Sequence, residues 1–376
     1  MSDAFAFASK KCKCWAALAG SEPLKAYEIE RRGVGPFDVG IDIQWAGICH
    51  SDIHCAREEW GKGVFPMVPG HEIAGVVSSV GAKVTKFAVG DTVGVGVFVD
   101  SCRACTKCKE GKEQYCTGGG KLLTYGSRFT FEHCPEYTAD KGASAAPGSA
   151  QYATFGGYSQ YIVCDEKYTL KIPSNLDLAG AAPLLCAGIT VWSPLMYYGA
   201  QASSKIGVAG LGGLGHCAVK FAVAMGAHVT VLSRSTGKKE EALGKLGAHA
   251  FVDTTDEAQV KAIEGSLDLI IDTISATHDV DMLLNMVRCD GGNVCMVGLP
   301  PDGVKVSAFN FVGPRKLLTG SNIGGIAETQ EMLDFCGRHN TLCEVEKIVP
   351  AYINEAYERT VKSDVKYRFV IDTTAM

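Results

Sequence analysis

The stretch "KIGVAGLGGLGHCAVKFAVAMGAHVTVLSRSTGKKE", residues 205–240, restricts the fold more than any other part of the chain. Residues 206–209 read as a short buried strand, and Gly210, Gly212 and Gly215 form G-x-G-x-x-G. Residues 213–225 carry apolar side chains at helical spacing, and residues 228–232 read as a second strand. Glycines between a strand and a helix let the backbone approach a pyrophosphate, and the free N–H groups at the helix start favour its charge. A doubly wound parallel sheet that holds a dinucleotide is the expected result. The end of the second strand selects the dinucleotide. A site for NAD usually places Asp or Glu there, to bond the ribose diol and repel a 2′-phosphate. This chain has Ser233, Arg234 and Ser235, followed by Lys238 and Lys239, hydroxyls and cations suited to a phosphate. The expectation is NADP(H). A solvated basic turn is the other reading, and it leaves the absent acid without a reason.

A second constraint is "DSCRACTKCKEGKEQYC", residues 100–116. Cys102, Cys105, Cys108 and Cys116 follow C-x2-C-x2-C-x7-C, which lets one loop wrap a tetrahedral ion with four thiolates at about 2.3 Å. The N-terminal residues show no basic head followed by an apolar block, so a cytoplasmic location is expected. There thiols stay reduced, and the sixteen cysteines read as metal ligands and buried thiols rather than a disulfide framework. Four thiolates leave no open coordination position, so this zinc site is structural and the chemistry lies elsewhere. Cys49 in "GICHSDIH" and His71 in "PGHEIAG" lie far apart, each flanked by polar groups, and suit an open zinc. Such a zinc needs a third protein ligand. Cys186 in "APLLCAGIT" is the candidate; alone it reads more readily as a core thiol, and only the combination argues for a ligand.

Composition narrows the partners. The 376 residues are 47% hydrophobic and 20% charged, with a formal net charge of -5, so no basic stripe awaits a nucleic acid. No run of about 18 apolar residues suits a bilayer. Turn signals and β-branched residues dominate to about residue 170, apolar strands alternate with helical stretches to about 310, and the tail departs from that pattern. The expected division is 1–170 for a β-rich domain carrying the zinc lobe, 171–310 for the nucleotide-binding domain, and 311–376 for a return to the first domain.

These motifs, together with "VPGHEIAG", "VGDTVGVG", "GGYSQYIV", "APLLCAGITVWSPL" and "DVKYRFVID", resemble the zinc-dependent medium-chain alcohol dehydrogenases over nearly the whole chain. Within that family the sequence is similar to the cinnamyl alcohol dehydrogenase branch and its microbial aldehyde-reductase relatives. The resemblance implies a GroES-like catalytic domain built from both chain ends, an inserted Rossmann domain, and a homodimer. It implies that Cys49, His71 and Cys186 hold the catalytic zinc, with Glu72 a nearby acid that enters the metal shell transiently. Asp52 would orient His71, as metal-bound histidines require. Ser51 and His54 match the family's proton relay, and His50 a position facing the pyrophosphate. Thr190 and Gly298 would neighbour the nicotinamide, and Gly213, Leu214, Thr273, Val297 and Ser321 complete the implied cofactor contacts. Trp60, Val97, Tyr125 and Ile323 are pocket candidates, with Tyr125 read equally as an anchor of a surface loop.

An open zinc beside NADP(H) predicts interconversion of primary alcohols and aldehydes by hydride transfer, with apolar or aromatic aldehydes reduced in the cell. Two features depart from the family: the 117–155 segment is long, and Gly118 to Gly120 replace the bulky aromatic that cinnamyl-type enzymes place over an aryl substrate. Phenylpropanoid specificity is therefore not expected. Two other readings stay open, a zinc-free quinone-reductase-like NADPH oxidoreductase and a non-catalytic NADPH-binding scaffold.

Overall fold

The computed structural model describes residues 9–119, 121–127 and 153–376. Residues 1–8, 120 and 128–152 lie outside the described residues, and with them Gly120 and most of the long 117–155 segment. Contacts divide the chain into two compact units, Met1–Cys186 with Gly324–Met376, and Ala187–Ile323.

In the first unit the strand Asp38–Gly47 organises a seven-stranded sheet. One edge of it pairs antiparallel with Ile73–Val80, with bulges at Gly40/Ile41 and Ile43/Trp45. The other edge is shared: residues 38–42 pair with Tyr161–Asp165, and residues 45–47 pair with Arg368–Asp372. Bulges increase local twist and bend a strand, which lets one strand serve two partners along the same edge. Thr92–Val95 and Leu170–Lys171 extend the sheet on one side and Val345–Ile348 on the other. Three strand ends consequently meet in one place: Gly47 leads into Cys49, His71 and Glu72 precede Ile73, and Arg368 opens its strand. Beneath them Ile48, Ile53, Tyr158 and Phe369 are each at most 1% exposed. Burial of a side chain of that size stabilises by about 1.5–3 kcal/mol, so the corner is held rigidly.

The second unit carries six parallel strands in the order Ala250–Asp253, His228–Ser233, Lys205–Ala209, Leu269–Asp272, Asn293–Met296 and Leu317–Gly320. Lys205–Ala209 is buried after its first residue and Leu269–Asp272 throughout, as expected of a parallel sheet covered on both faces. Strand order reverses between these two, which makes their carboxyl ends the switch point where such sheets bind ligands. The helix expected from residue 213 begins at Gly215 and runs to Ala224, because Gly212 to Leu214 form the turn that leads into it.

The unit joints fall at 186/187 and 323/324, later than the expected 170 and 310. The stretch after residue 170 packs in the first unit, where the Cys343 N–H donates to the Gly180 carbonyl at 3.1 Å. Leu317–Gly320 still belongs to the parallel sheet. No single helix among the described residues is long and apolar enough to cross a membrane.

Candidate active site

At the corner of the first unit the ligand atoms of Cys49, His71, Glu72 and Cys186 all lie within 4.8 Å of one another, and all four residues are buried. The Cys49 and Cys186 sulfurs are 3.9 Å apart. Two thiolates on one tetrahedral zinc, each at about 2.3 Å, stand roughly 3.8 Å apart, so the spacing fits that ion. The S–H of Cys186 holds the Cys49 thiol well below its ordinary range against the effect of burial, and the same bond together with burial pushes Cys186 well up. Two sulfurs this close repel one another as thiolates, and a divalent cation between them would relieve that repulsion.

Asp52 builds the ligand geometry. Its helix, His50–Ala56, starts directly after Cys49, and the Asp52 carboxylate accepts the Cys49 N–H at 2.9 Å, the return half of a capping box. The same oxygen accepts the Tyr158 hydroxyl at 3.1 Å. The other oxygen accepts the Gly70 N–H at 3.1 Å and meets His71 Nδ1 at 3.0 Å. Four donors thus saturate one fully buried carboxylate. With Nδ1 committed as a donor, Nε2 of His71 carries the free lone pair for a metal. Gly70 has φ +101°, and a Cβ there would stand 2.6 Å from the Tyr158 ring, so only glycine brings His71 into this position.

Glu72 is fully buried, and its Oε1 accepts from the Arg368 guanidinium while Oε2 has no hydrogen-bond partner among the described residues. Burial pushes the Glu72 carboxyl up to about 8, opposed by the Arg368 charge. A buried, unpartnered carboxylate oxygen beside two cysteines and a histidine fits a cation. Arg368 faces Glu72, Cys49 and Cys186 together, and sequence reasoning missed it. Its signal was a single arginine inside the apolar run "YRFVID".

The remaining predicted residues of this unit are distributed as follows. Ser51 Oγ lies 3.6 Å from Cys49 Sγ. His54 is half-buried; Glu59 pairs with its Nδ1, and Trp60, 54% exposed, stacks on its ring at 4.6 Å. His50 is exposed at the start of the same helix. Tyr125 is no surface anchor: it is 7% exposed and stacks on His71 at 5.9 Å between centroids. Val97 is half-buried, and its carbonyl accepts the Thr124 N–H at 3.0 Å, next to Tyr125. Ile323 belongs to the other unit.

The four-cysteine lobe is assembled as its spacing implies. The ligand atoms of Cys102, Cys105, Cys108 and Cys116 lie within 4.8 Å of one another, with Cys102–Cys108 at 3.8 Å, Cys105–Cys108 at 3.5 Å and Cys105–Cys116 at 4.0 Å. Arg103, between the first two, bonds Asp100 at 2.8 Å and Asp165 at 3.0 Å, which ties the loop to the seven-stranded sheet. Backbone N–H groups of Cys108 and Thr117 hold Cys105 down at about 5, whereas burial pushes Cys108 to about 12. Four thiols this close ionise together only when a cation balances them, so this donor set also fits zinc.

In the second unit the three motif glycines play three parts. Gly210 has φ +85°, and its Cβ would stand 3.0 Å from Thr273 Oγ1. A Cβ at Gly215 would stand 2.1 Å from the Gly210 carbonyl, whereas at Gly212 it would meet nothing within 4 Å. Turn, tight helix packing and open approach are the three requirements of a pyrophosphate site, so the turn fits a dinucleotide, with Gly213 and Leu214 completing it. Ser233 is half-buried and its hydroxyl accepts the Ser235 N–H at 3.2 Å, while Arg234, Ser235 and Lys239 are exposed. Lys238, not Lys239, reaches back to the glycine turn, donating to the Leu211 carbonyl at 2.7 Å. Thr273 donates to the Ala209 carbonyl at 2.8 Å, and the Val297 and Gly298 N–H groups both donate to the Asp272 carbonyl. Ser321 donates through its N–H to Met296, and Thr190 is buried in the helix Ala187–Tyr197.

A buried set of two cysteines, a histidine and a glutamate, and a glycine turn at the switch point of a parallel sheet, define a zinc- and nucleotide-dependent oxidoreductase. Residues 35–174 match the family model of the alcohol dehydrogenase GroES-like domain, and residues 213–338 match that of the zinc-binding dehydrogenases. The chain is 53% identical over 362 residues to NADP-dependent alcohol dehydrogenase C 1 of Mycolicibacterium smegmatis, covering 96% of this chain and 98% of that one. A cinnamyl alcohol dehydrogenase from Sorghum bicolor superposes with TM-score 0.87 at 44% identity, over 97% of this chain and 98% of that one. Cinnamyl alcohol dehydrogenase from Helicobacter pylori, solved with NADP(H), superposes with TM-score 0.85 at 42% identity, over 98% and 99%. The chain belongs to the zinc-dependent medium-chain alcohol dehydrogenases, in the cinnamyl alcohol dehydrogenase branch.

Proposed function

We propose that this chain interconverts primary alcohols and aldehydes with NADP(H), reducing apolar or aromatic aldehydes in the cell. The observation that carries the reading is the buried set of Cys49, His71 and Cys186 around the unpartnered Glu72 oxygen. The NADP-dependent relative and the NADP(H)-bound neighbour support the cofactor, as does the basic turn at Ser233 to Lys239.

Cys49, His71 and Cys186 hold the catalytic zinc, and Cys102, Cys105, Cys108 and Cys116 the structural one. A zinc held by Cys49, His71 and Cys186 would supply a Lewis acid for a carbonyl oxygen, and NADPH the hydride. Asp52 fixes the tautomer and direction of His71. Arg368 offsets the charge of Glu72 and of the two thiolates, which keeps the carboxylate near the ligand set without requiring it there. Ser51, within reach of Cys49 Sγ, supplies the proton that the product oxygen takes, and His54 passes one in from solvent, its Nδ1 held by Glu59. Gly210, Gly212, Gly213, Leu214 and Gly215 receive the pyrophosphate, and Ser233, Arg234, Ser235 and Lys239 the 2′-phosphate. Thr190, Thr273, Val297, Gly298 and Ser321 line the nicotinamide half. Tyr125, Trp60 and Val97 bound the substrate.

The assembly we propose is a homodimer. Leu317–Gly320 is an edge strand that leaves one side unpaired, and Phe309 and Val312 nearby are 90% and 68% exposed. A cytoplasmic location accords with the described cysteines, none of which forms a disulfide. The test is elemental analysis combined with an aldehyde screen using NADPH and NADH. Two zinc ions per chain and NADPH-dependent turnover are expected. Turnover without zinc identifies the zinc-free quinone-reductase-like enzyme, and tight NADPH binding without turnover on any aldehyde identifies a scaffold; either result overturns the proposal.

A further inference from the structure

At the switch point of the parallel sheet, the segment that follows Leu269–Asp272 is bonded at nearly every side chain. Thr273 donates to Ala209 in the glycine turn, Ser275 Oγ accepts the Leu299 N–H at 3.3 Å, and Thr277 donates to Asp302 at 2.8 Å. The Asp272 carbonyl takes the N–H groups of Val297 and Gly298, and one oxygen of its carboxylate takes the N–H of Ile274 at 3.1 Å. This one segment thus bonds both the glycine turn and the 297–299 loop. His278 closes it on itself. Its Nε2 lies 2.8 Å from the remaining Asp272 oxygen and its Nδ1 lies 2.9 Å from the Ala276 carbonyl.

A carbonyl and an ionised carboxylate can only accept, so both ring nitrogens have to donate, and a neutral imidazole has just one N–H. We infer that His278 is a positioning residue that works as an imidazolium, pinning the 273–277 turn so that the glycine turn and the 297–299 loop stand in register for the cofactor. The His278 side chain is 11% exposed and the Asp272 side chain is fully buried, so the pair is shielded from competing water. The charged groups that face His278 are Asp272 from the strand and Asp279 from the cap of the helix Val280–Met286, both acidic. Its pKa is raised, first by the bond to Asp272 and against burial. The raised value means the proton is retained to higher pH than in a free histidine. Cofactor affinity is then full below that pKa and falls as pH rises through it, when one of the two bonds is lost.

The inference rests on reading this unit as the NADP(H) site, and the experiment separates the two. NADPH affinity of the full-length protein is measured by fluorescence between pH 6 and 9 for the wild type, His278→Phe and His278→Gln, alongside 15N spectra of histidine-labelled wild type. Both His278 nitrogens should be protonated at pH 7, and wild-type affinity should fall with rising pH. His278→Phe should bind about tenfold more weakly at pH 7, the scale of one charge-assisted hydrogen bond, and lose that pH limb. His278→Gln, with one donor group, should fall between and carries the comparison if the phenylalanine variant does not fold. A wild type that binds no NADPH refutes the cofactor reading. Normal binding with a neutral His278 at pH 7, or with unchanged affinity and pH profile in the variants, refutes the positioning role.

Discussion

Asp52→Asn is nearly isosteric, yet the geometry leaves the amide no good orientation. If its NH2 faces Gly70 and His71, two donors confront it, and His71 can relieve this only by moving its proton to Nε2, which removes the lone pair needed for zinc. If the NH2 faces Cys49 and Tyr158, the Tyr158 hydroxyl can rotate to accept, but the Cys49 N–H then meets a donor in place of an acceptor. The second arrangement is the milder one. It leaves one buried N–H unsatisfied at the start of the helix, at a cost of about 1–3 kcal/mol. It also replaces the charged partner of His71 by a neutral one, which typically weakens a metal site by about 10–100-fold. Metal-free Asp52→Asn should therefore unfold in urea with about 1–3 kcal/mol less stability and an unchanged m-value. Challenged with a chelator, the zinc-loaded variant should release one of its two ions far sooner than the wild type and keep the other. Wild-type stability together with wild-type release of both ions would show that Asp52 does not organise the pocket.

Cys105→Ala should remove one zinc and lower the melting temperature, because the 102–116 loop is left with three thiols and no closed ion; elemental analysis and calorimetry read both. Ser51→Ala should keep two zinc ions and slow turnover about 10²–10⁴-fold, and a rate within about threefold of wild type would exclude it from proton transfer. Ser233→Asp should shift the ratio of kcat/KM for NADPH over NADH toward NADH, because a carboxylate accepts from the ribose diol and repels the phosphate. Lys239→Ala should weaken NADPH and leave NADH binding unchanged, whereas Lys238→Ala, which removes the bond to the Leu211 carbonyl in the glycine turn, should weaken both cofactors alike.

Local spacing made much of the site legible. The strand, glycine turn and helix around Gly210 needed no tertiary information, nor did the four thiols of the 102–116 loop, since each is a contiguous segment with a periodicity of its own. Cys49, His71 and Cys186 were legible only as a set. What escaped depends on pairing between remote strands. Arg368 meets Glu72 because the strand Arg368–Asp372 happens to share an edge with Asp38–Gly47, and no local pattern encodes that register. Tyr158 reaches Asp52 in the same non-local way. The bond from Lys238 to the glycine turn depends on the direction of a short helical turn, Thr236–Lys238, which no local pattern states. The joint at Cys186 escaped as well, because the apolar run around it looks alike whether it packs in one unit or the other.

The shared edge of Asp38–Gly47 also sets a schedule for biosynthesis. Residues 187–323 are contiguous and can compact as soon as they leave the ribosome, but Glu72 waits about 300 residues for Arg368. At about 5–20 residues per second that interval is roughly 15–60 s, during which Cys49 and His71 lack their closing strand. The 102–116 loop has no such delay, since its last thiol follows its first within the same loop. The four thiols of the loop are thus all present early in the growing chain, whereas the Glu72–Arg368 pair closes only after the final strand has been released.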